Sequence, residues 1–450
     1  MRPLALAPAT PASELGPLRY TGRFYLLAAS IGAVAGLIAS VFQLGIARVA
    51  GWYSGIVALC VSDLHLPGWL AAAALGAAML FVAVLLLRRF APEAAGSGIH
   101  EVEAHLDGVH PLRWRRVLPV KFVGGILALG ANFTVGPEGP AVHMGGAVGR
   151  MFAEAFKVRG EHGKALVCAG AAAGLAAVFN APLAGFLFVL EQMRRHFPLT
   201  IVSFHGLVLA SLGAAVVDAL FFGQGPAFPI RNYETPAVLD LTLFLAMGVL
   251  IGAGGALFNR LLMGVIGVAG RVRRRWPLLP GPCIGAATGV LFWVMPQSVG
   301  SGQTLTLDLF MHPYAWQTLL GLLALRLATT LVSYSAEAPG GIFAPMLALG
   351  ALAGLLCGHL FGALLPGLVA DPGVYALAAM GALFAATFRI PVTAIVLVLE
   401  ITRCGSVALA MVASCLAASL AAQALGAQPM YEMLLKRLLS EPPRADGPGT

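Results

Sequence analysis

Charge is scarce in this chain. Of its 450 residues only 11% are Asp, Glu, Lys or Arg, where an average soluble domain carries about 25%. That shortage excludes an ordinary soluble protein. Paired cysteines are missing as well: Cys60, Cys168, Cys283, Cys357, Cys404 and Cys415 show no C-x-x-C spacing and lie mostly in apolar runs, so they read as buried thiols rather than disulfides or a metal site. H-E-x-x-H, G-x-S-x-G and Walker A patterns are absent, and the ten histidines are dispersed. An intramembrane enzyme, which needs a nucleophile–base pair or clustered metal ligands, is therefore a remote alternative, and no cofactor is expected. The first 22 residues are Pro-rich and lack the compact apolar core of a signal peptide, so residues 1–22 read as a cytosolic lead-in. About 19 residues follow Tyr431, too few for a soluble regulatory domain.

What the chain has instead is apolar length. Hydrophobic residues make up 59%, and the mean hydropathy is +0.86. Apolar runs near 24–50, 67–87, 117–135, 165–190, 199–222, 238–268, 279–296, 316–333, 341–369, 374–401 and 405–425 predict roughly ten or more membrane-embedded helices, because about 20 apolar residues cross a bilayer core. Fifty-five glycines suit close helix packing and broken helices lining a cavity. The formal charge of +8 does not point to nucleic acid, because the cations cluster between apolar runs: Arg88 and Arg89; Arg113, Arg115 and Arg116; Arg194 and Arg195; Arg271 and Arg273 to Arg275; Lys436 and Arg437. That is the positive-inside pattern, with segments 62–67 and 223–240 facing outward and both termini in the cytoplasm.

The sequence repeats itself. Phe179-x-x-Pro182 followed by Val189-Leu190-Glu191 returns 209 residues later as Phe388-x-x-Pro391 and Val398-Leu399-Glu400. Pro140, Gly145 and Gly149 return as Pro345, Gly350 and Gly354 at an offset of 205, and Gly96-Ser97-Gly98 as Gly300-Ser301-Gly302 at 204. Two duplicated halves follow, about 25–225 and 237–425, inside one membrane domain at 23–435 with a short cytosolic tail at 436–450. Repeated halves broken by Gly and Pro at corresponding places point to a transporter whose site lies between them.

One carboxylate interrupts the apolar background. Glu138 sits within Val135-Gly136-Pro137-Glu138-Gly139-Pro140, where a membrane-embedded charge costs at least about 2.5 kcal/mol and marks a functional site. The glycines allow the helix to break, and Pro140 suits the first turn of a new helix, whose exposed N–H groups favour an anion.

These residues carry a family resemblance. Gly96-Ser97-Gly98-Ile99, Gly136-Pro137-Glu138-Gly139-Pro140 and Gly340-Gly341-Ile342-Phe343-Ala344-Pro345, with Tyr431 near the C-terminus, resemble in order the CLC chloride channels and chloride/proton antiporters of bacterial type. The resemblance covers roughly residues 25 to 435. It implies an all-α polytopic membrane protein of two inverted-topology repeats of broken, tilted helices. It also implies a homodimer in the cell inner membrane with one anion pathway per subunit, and transport of chloride with protons as the possible coupled ion. Ser97 and Tyr431 match the family's hydroxyl ligands for the central anion, the backbone N–H groups of Ile342 and Phe343 complete that cage, and those around Gly139 shape the outer site. Glu138 matches the gating carboxylate, which occupies an anion site when ionised and swings away when protonated.

Three departures bear on coupling. Pro137 stands where the family usually has Arg or Lys, His100 where Pro is customary, and Gln192 where the antiporters carry their internal proton-transfer glutamate. Chloride/proton exchange and a passive chloride conductance both remain open, with Glu138, Gln192, Glu191 and His100 as proton-pathway candidates. Glu191 and Glu400 also read as helix-end caps, Lys121 and Arg326 as either sources of positive potential or structural charges, and His143 as a packing residue. In nitrate-selective relatives Pro tends to replace the serine, so Ser97 favours chloride.

Overall fold

The computed structural model describes residues 18–365 and 371–440; the boundary placed at residue 22 falls inside a described helix, and most of the lead-in and of the tail lies outside the described residues. Among the described residues the chain forms seventeen α-helices. They are α1 Leu18–Ser62, α2 Gly68–Phe90, α3 Ile99–Leu106, α4 Trp114–Gly130, α5 Glu138–Ala155, α6 Gly160–Phe179, α7 Pro182–Gln192 and α8 Ile201–Phe222. The second half follows with α9 Leu241–Arg275, α10 Pro280–Val294, α11 Gln303–Met311, α12 Trp316–Ser335, α13 Phe343–Leu364, α14 Pro372–Phe388, α15 Pro391–Thr402 and α16 Ala408–Ala424, and α17 Met430–Ser440 closes the chain. Eight of these are long and apolar enough to cross a membrane.

Of the six helices beyond the eleven apolar runs, α3, α5, α11 and α17 lie outside every run, and the other two arise by division of a run. The run at 165–190 divides into α6 and α7 because Asn180 turns left-handed (φ 49°) and Pro182 opens a new helix; the run at 374–401 divides at Arg389 (φ 64°) and Pro391 in the same way. A left-handed residue ends the hydrogen-bond ladder, and proline can start a helix but not continue one.

Helices α1–α8 and α9–α16 correspond one to one, and their contacts obey a two-fold relation. Gly136 and Gly341, equivalent at an offset of 205, exchange both backbone hydrogen bonds at 2.7 Å as an antiparallel bridge. Gly96 N–H donates to Glu337 O at 3.3 Å, and its counterpart Gly300 N–H donates to Asn132 O at 2.8 Å. Glu191, at the end of α7, caps the start of α15 through the N–H groups of Val392 (3.1 Å) and Thr393 (2.7 Å). Glu400, at the end of α15, caps α7 through Leu183 (3.0 Å) and Ala184 (2.7 Å). Each helix end is thus capped by the other's final carboxylate, so α7 and α15 are antiparallel and the halves are inverted relative to each other, as the repeats predict.

The centre is built from small residues. Helices α6 and α14 are buried nearly all round, as a helix apolar on every face must be. Helices α5 and α6 touch backbone to backbone: a Cβ added at Gly145 would lie 2.1 Å from Gly170 O, and one at Gly170 would lie 2.0 Å from Gly145 O. In a lipid environment such close approach supplies the van der Waals attraction that water expulsion cannot.

Candidate functional site

The site forms where the helix starts of the two halves meet. Its floor is the Gly96-Ser97-Gly98 loop leading into α3. Gly98 is left-handed (φ 79°), and a Cβ there would fall 2.0 Å from Nδ1 of the buried His143, so only glycine fits. The loop is held by Lys121, fully buried in α4, whose ammonium donates to Ala94 O at 2.9 Å and Gly96 O at 2.6 Å. Arg326, at the equivalent place in α12, donates to Val299 O at 2.6 Å beside the second Gly-Ser-Gly. Both buried cations bind loop carbonyls, which favours the structural alternative for each.

Ser97 is fully buried, and its Oγ accepts a long bond from Ile99 N–H at 3.4 Å. Tyr431, near the start of α17, faces it. The phenol is fully buried and its hydroxyl makes no hydrogen bond of ordinary geometry, which leaves a donor whose burial is costly without an acceptor. Its ring is fixed by stacking on Phe388, with centroids 5.3 Å apart, and by an edge contact with Phe343 at 6.0 Å. Ile342 and Phe343, both fully buried, open α13, so their N–H groups belong to the helix start that has no intrahelical acceptor.

Glu138 opens α5 and is 1% exposed. Its carboxylate turns inward, facing its own N–H and that of Ala344 in α13, and Oε2 makes no hydrogen bond of ordinary geometry. It lies so tightly against the bridge that a Cβ on Gly136 would sit 2.0 Å from Oε2. Gly139 is the partition between this seat and the serine: a Cβ there would be 2.6 Å from Ser97 Cβ and 3.0 Å from Gly341 Cα. Glu138, Gly139, Ser97 and Tyr431 thus form one continuous row, and the carboxylate lies between the positive ends of two helices.

Cavities approach the row from its two ends. At one end a cavity of about 250 Å³ is lined by Glu138, Pro137, Asn180, Asp218, Ser301 and Gln303. At the other, a cavity lined by Gly96, His100, Tyr334, Ser335 and Arg437 adjoins a wider one whose walls carry Arg88, Arg271, Arg273 and Arg274. A basic mouth of this kind raises the local anion concentration.

The remaining proton-pathway candidates do not join the row. His100 lines the basic-side cavity. The Glu191 carboxylate is occupied in capping α15 and also accepts from Thr393 Oγ1 at 2.8 Å. Gln192, the last residue of α7, donates through Nε2 to Glu103 Oε1 at 2.9 Å. Two residues escape the sequence reading. Tyr334 faces Ser97 from α12, with its hydroxyl 3.6 Å from a Cβ built on Gly96; its only signal was a phenol in an apolar run. Glu103 belongs to the short acidic helix after Gly98, where two glutamates in eight residues were the available sign. Among the described residues no group of three or more His, Cys, Asp or Glu could hold a metal ion.

Comparison with known proteins gives a consistent picture. A family model described as voltage gated chloride channel matches residues 78–423. The chain is 42% identical over 419 residues to the H(+)/Cl(-) exchange transporter ClcA of Vibrio parahaemolyticus serotype O3:K6 (strain RIMD 2210633), covering 92% of this chain and 89% of that one. It is 40% identical over 421 residues to the transporter of the same name from Klebsiella pneumoniae (strain 342), again covering 92% and 89%. A slow cyanobacterial Cl-/H+ antiporter of known structure superposes with a TM-score of 0.89 at 34% identity, covering 96% of this chain and 100% of that one. A eukaryotic CLC transporter shares the fold, with a TM-score of 0.80 at 23% identity, covering 93% and 75%.

Proposed function

The chain belongs to the voltage gated chloride channel family, and on that premise we propose that it exchanges chloride for protons across the cytoplasmic membrane. The observation that carries the reading is the seat of Glu138. Its carboxylate occupies the point where two helix starts converge, next to two buried hydroxyls and between cavities from opposite ends. An ionised carboxylate and a chloride ion compete for such a seat because both are satisfied by the same N–H groups. Protonation removes the carboxylate's charge and its claim on the seat, so one side chain ties proton uptake to anion entry. Ser97, Tyr431 and the N–H groups of Ile342 and Phe343 hold the anion with neutral donors, which bind chloride while still letting it leave.

The clustering of basic residues between apolar runs supports a cytoplasmic location for the Arg437 side and both termini, and the family resemblance implies a homodimer with one pathway per subunit. A second reading, passive chloride conductance, is favoured by one observation: Gln192 is an amide and cannot carry a proton near neutrality. Purified protein in liposomes separates the two. Given a chloride gradient alone, the exchanger drives protons uphill, recorded as a pH change in a weakly buffered bath. A reversal potential fixed at the chloride equilibrium value, unmoved by an imposed pH gradient, would overturn exchange.

A further inference from the structure

Three buried acids lie on or beside α3, and their partners differ. Glu93 is clamped by Arg113, at 2.8 Å through Nε and 3.0 Å through Nη2. Glu101 faces the buried ammonium of Lys121. Glu103, 3% exposed, is held instead by the neutral amide of Gln192 at 2.9 Å. The other groups that act on it are Asp107 one turn along α3 and Glu432 of α17, and on its far side the Tyr431 phenol. From α5, Arg150 acts on His105, and Gly146 faces the apolar side chains of Val102 and Val167. Burying a permanent charge among an amide, a phenol and two acids is costly, whereas a carboxyl that can take up a proton escapes that cost.

The position has an entrance and an exit. Asp107 Oδ1 lies 2.7 Å from His196 Nδ1, with the Asp107 side chain 38% exposed, so a titratable pair at the end of α3 reaches solvent. Beyond Glu103, Tyr431 leads to Ser97 and Glu138.

We propose that Glu103 is the proton carrier on the basic-mouth side, performing from α3 the transfer that the amide of Gln192 cannot perform from α7. The carboxylate takes a proton arriving by way of Asp107 and His196 and becomes a neutral carboxylic acid; it then releases the same proton toward Glu138, so nothing but the proton is exchanged. Gln192 is a positioning residue that holds the acceptor oxygen in place. This inference rests on the exchange reading above.

The test uses full-length protein in liposomes, with chloride efflux and proton uptake recorded together. Glu103→Gln, which keeps size and polarity, should retain chloride efflux and lose proton uptake at least 10-fold. The swapped pair Glu103→Gln with Gln192→Glu keeps one acid and one amide across the same hydrogen bond, and it should restore uptake. Because the swapped pair puts a carboxyl where the antiporters carry theirs, its rescue shows only that the pair needs one acid. Glu103→Asp, which keeps a carboxyl on α3, should retain uptake that Glu103→Gln loses, whereas a purely structural role predicts that the shorter Asp is the worse replacement. If the wild type takes up protons and Glu103→Gln does so at the same proton-to-chloride ratio, the proposal falls while exchange stands. If the wild type takes up none, exchange falls and the proposal with it. Should Glu103→Gln transport nothing, Glu103→Asp decides: proton uptake supports the assignment, and chloride efflux without uptake overturns it.

Discussion

At the point where their broken helices begin, the first half of the molecule places a carboxylate and the second a phenyl ring. Glu138 and Phe343 are equivalent at the offset that pairs Gly136 with Gly341, and the two helix starts face each other across that bridge. The flanking devices are nearly identical: a Gly-Ser-Gly loop held by a buried cation from the following long helix, a left-handed residue whose carbonyl accepts a hydrogen bond from the other half, and a reciprocal carboxylate cap. What differs is where the loops end up. Ser97 is fully buried beside Tyr431, while Ser301 lines the cavity at the Glu138 end. A two-fold frame supplies paired helix starts that attract an anion, and the chemistry is assigned by breaking the symmetry at single side chains.

Removing the asymmetry at its strongest point should have the largest effect. Glu138→Gln is expected to abolish proton movement while chloride flux persists. The sign with pH follows from the carboxylate: ionised, it holds the seat, so wild-type flux should rise as pH falls, and the variant's flux should be flat from pH 4 to 8. Stopped-flow or electrode recordings on liposomes at stepped pH check this. A variant as pH-sensitive as the wild type would place the gate elsewhere.

The two serines offer the next test. Ser97→Pro should raise nitrate transport relative to chloride severalfold, whereas Ser301→Pro should leave the ratio as it is, because only the first loop joins the row of Gly139 and Tyr431. Equal responses would sink Ser97 as a ligand. Reversal potentials in mixed nitrate and chloride solutions give the ratio directly.

Packing separates the halves more gently. At Gly145 an added Cβ meets a carbonyl oxygen at 2.1 Å, but at its counterpart Gly350 the nearest atom is 2.7 Å away. Gly145→Ala should therefore lower the melting temperature in detergent more than Gly350→Ala, within the about 1–3 kcal/mol that overpacking typically costs. The reverse order would mean that the first pair of helices separates more easily than the second.

The smallest difference is expected between the caps. Glu191→Gln and Glu400→Gln each weaken two charged bonds to a helix start, worth about 0.5–2 kcal/mol, and Glu191 has the additional partner Thr393 Oγ1. Melting points should fall by similar amounts, slightly more for Glu191, with the proton-to-chloride ratio unchanged in both. Loss of coupling in Glu191→Gln alone would return that residue to the proton pathway.

Much of this architecture is local enough to read from the chain. Apolar length established a membrane protein, the repeated Phe-x-x-Pro and Gly-Ser-Gly spacings established duplication, and a single glutamate among glycines and prolines located the gate candidate, because each of these signals lies within a few residues of itself. The capping alternative for Glu191 and Glu400 was legible too, since both end an apolar run. Which acid meets which partner was not. Glu191 and Thr393 are 202 residues apart, and Gln192 and Glu103 are 89 apart, so no periodicity connects them. The helix breaks at Asn180 and Arg389 depended on left-handed backbone, which Asn adopts readily but Arg rarely does. Tyr334 reached Ser97 only because the inverted halves bring the end of α12 against the first Gly-Ser-Gly loop. Sequence determined what kind of molecule this is and that its two halves repeat, because apolar length and local motifs are properties of neighbours along the chain. The tertiary structure alone decided which buried acid is left beside a neutral amide, because that depends on side chains that only the folded two-fold frame brings together.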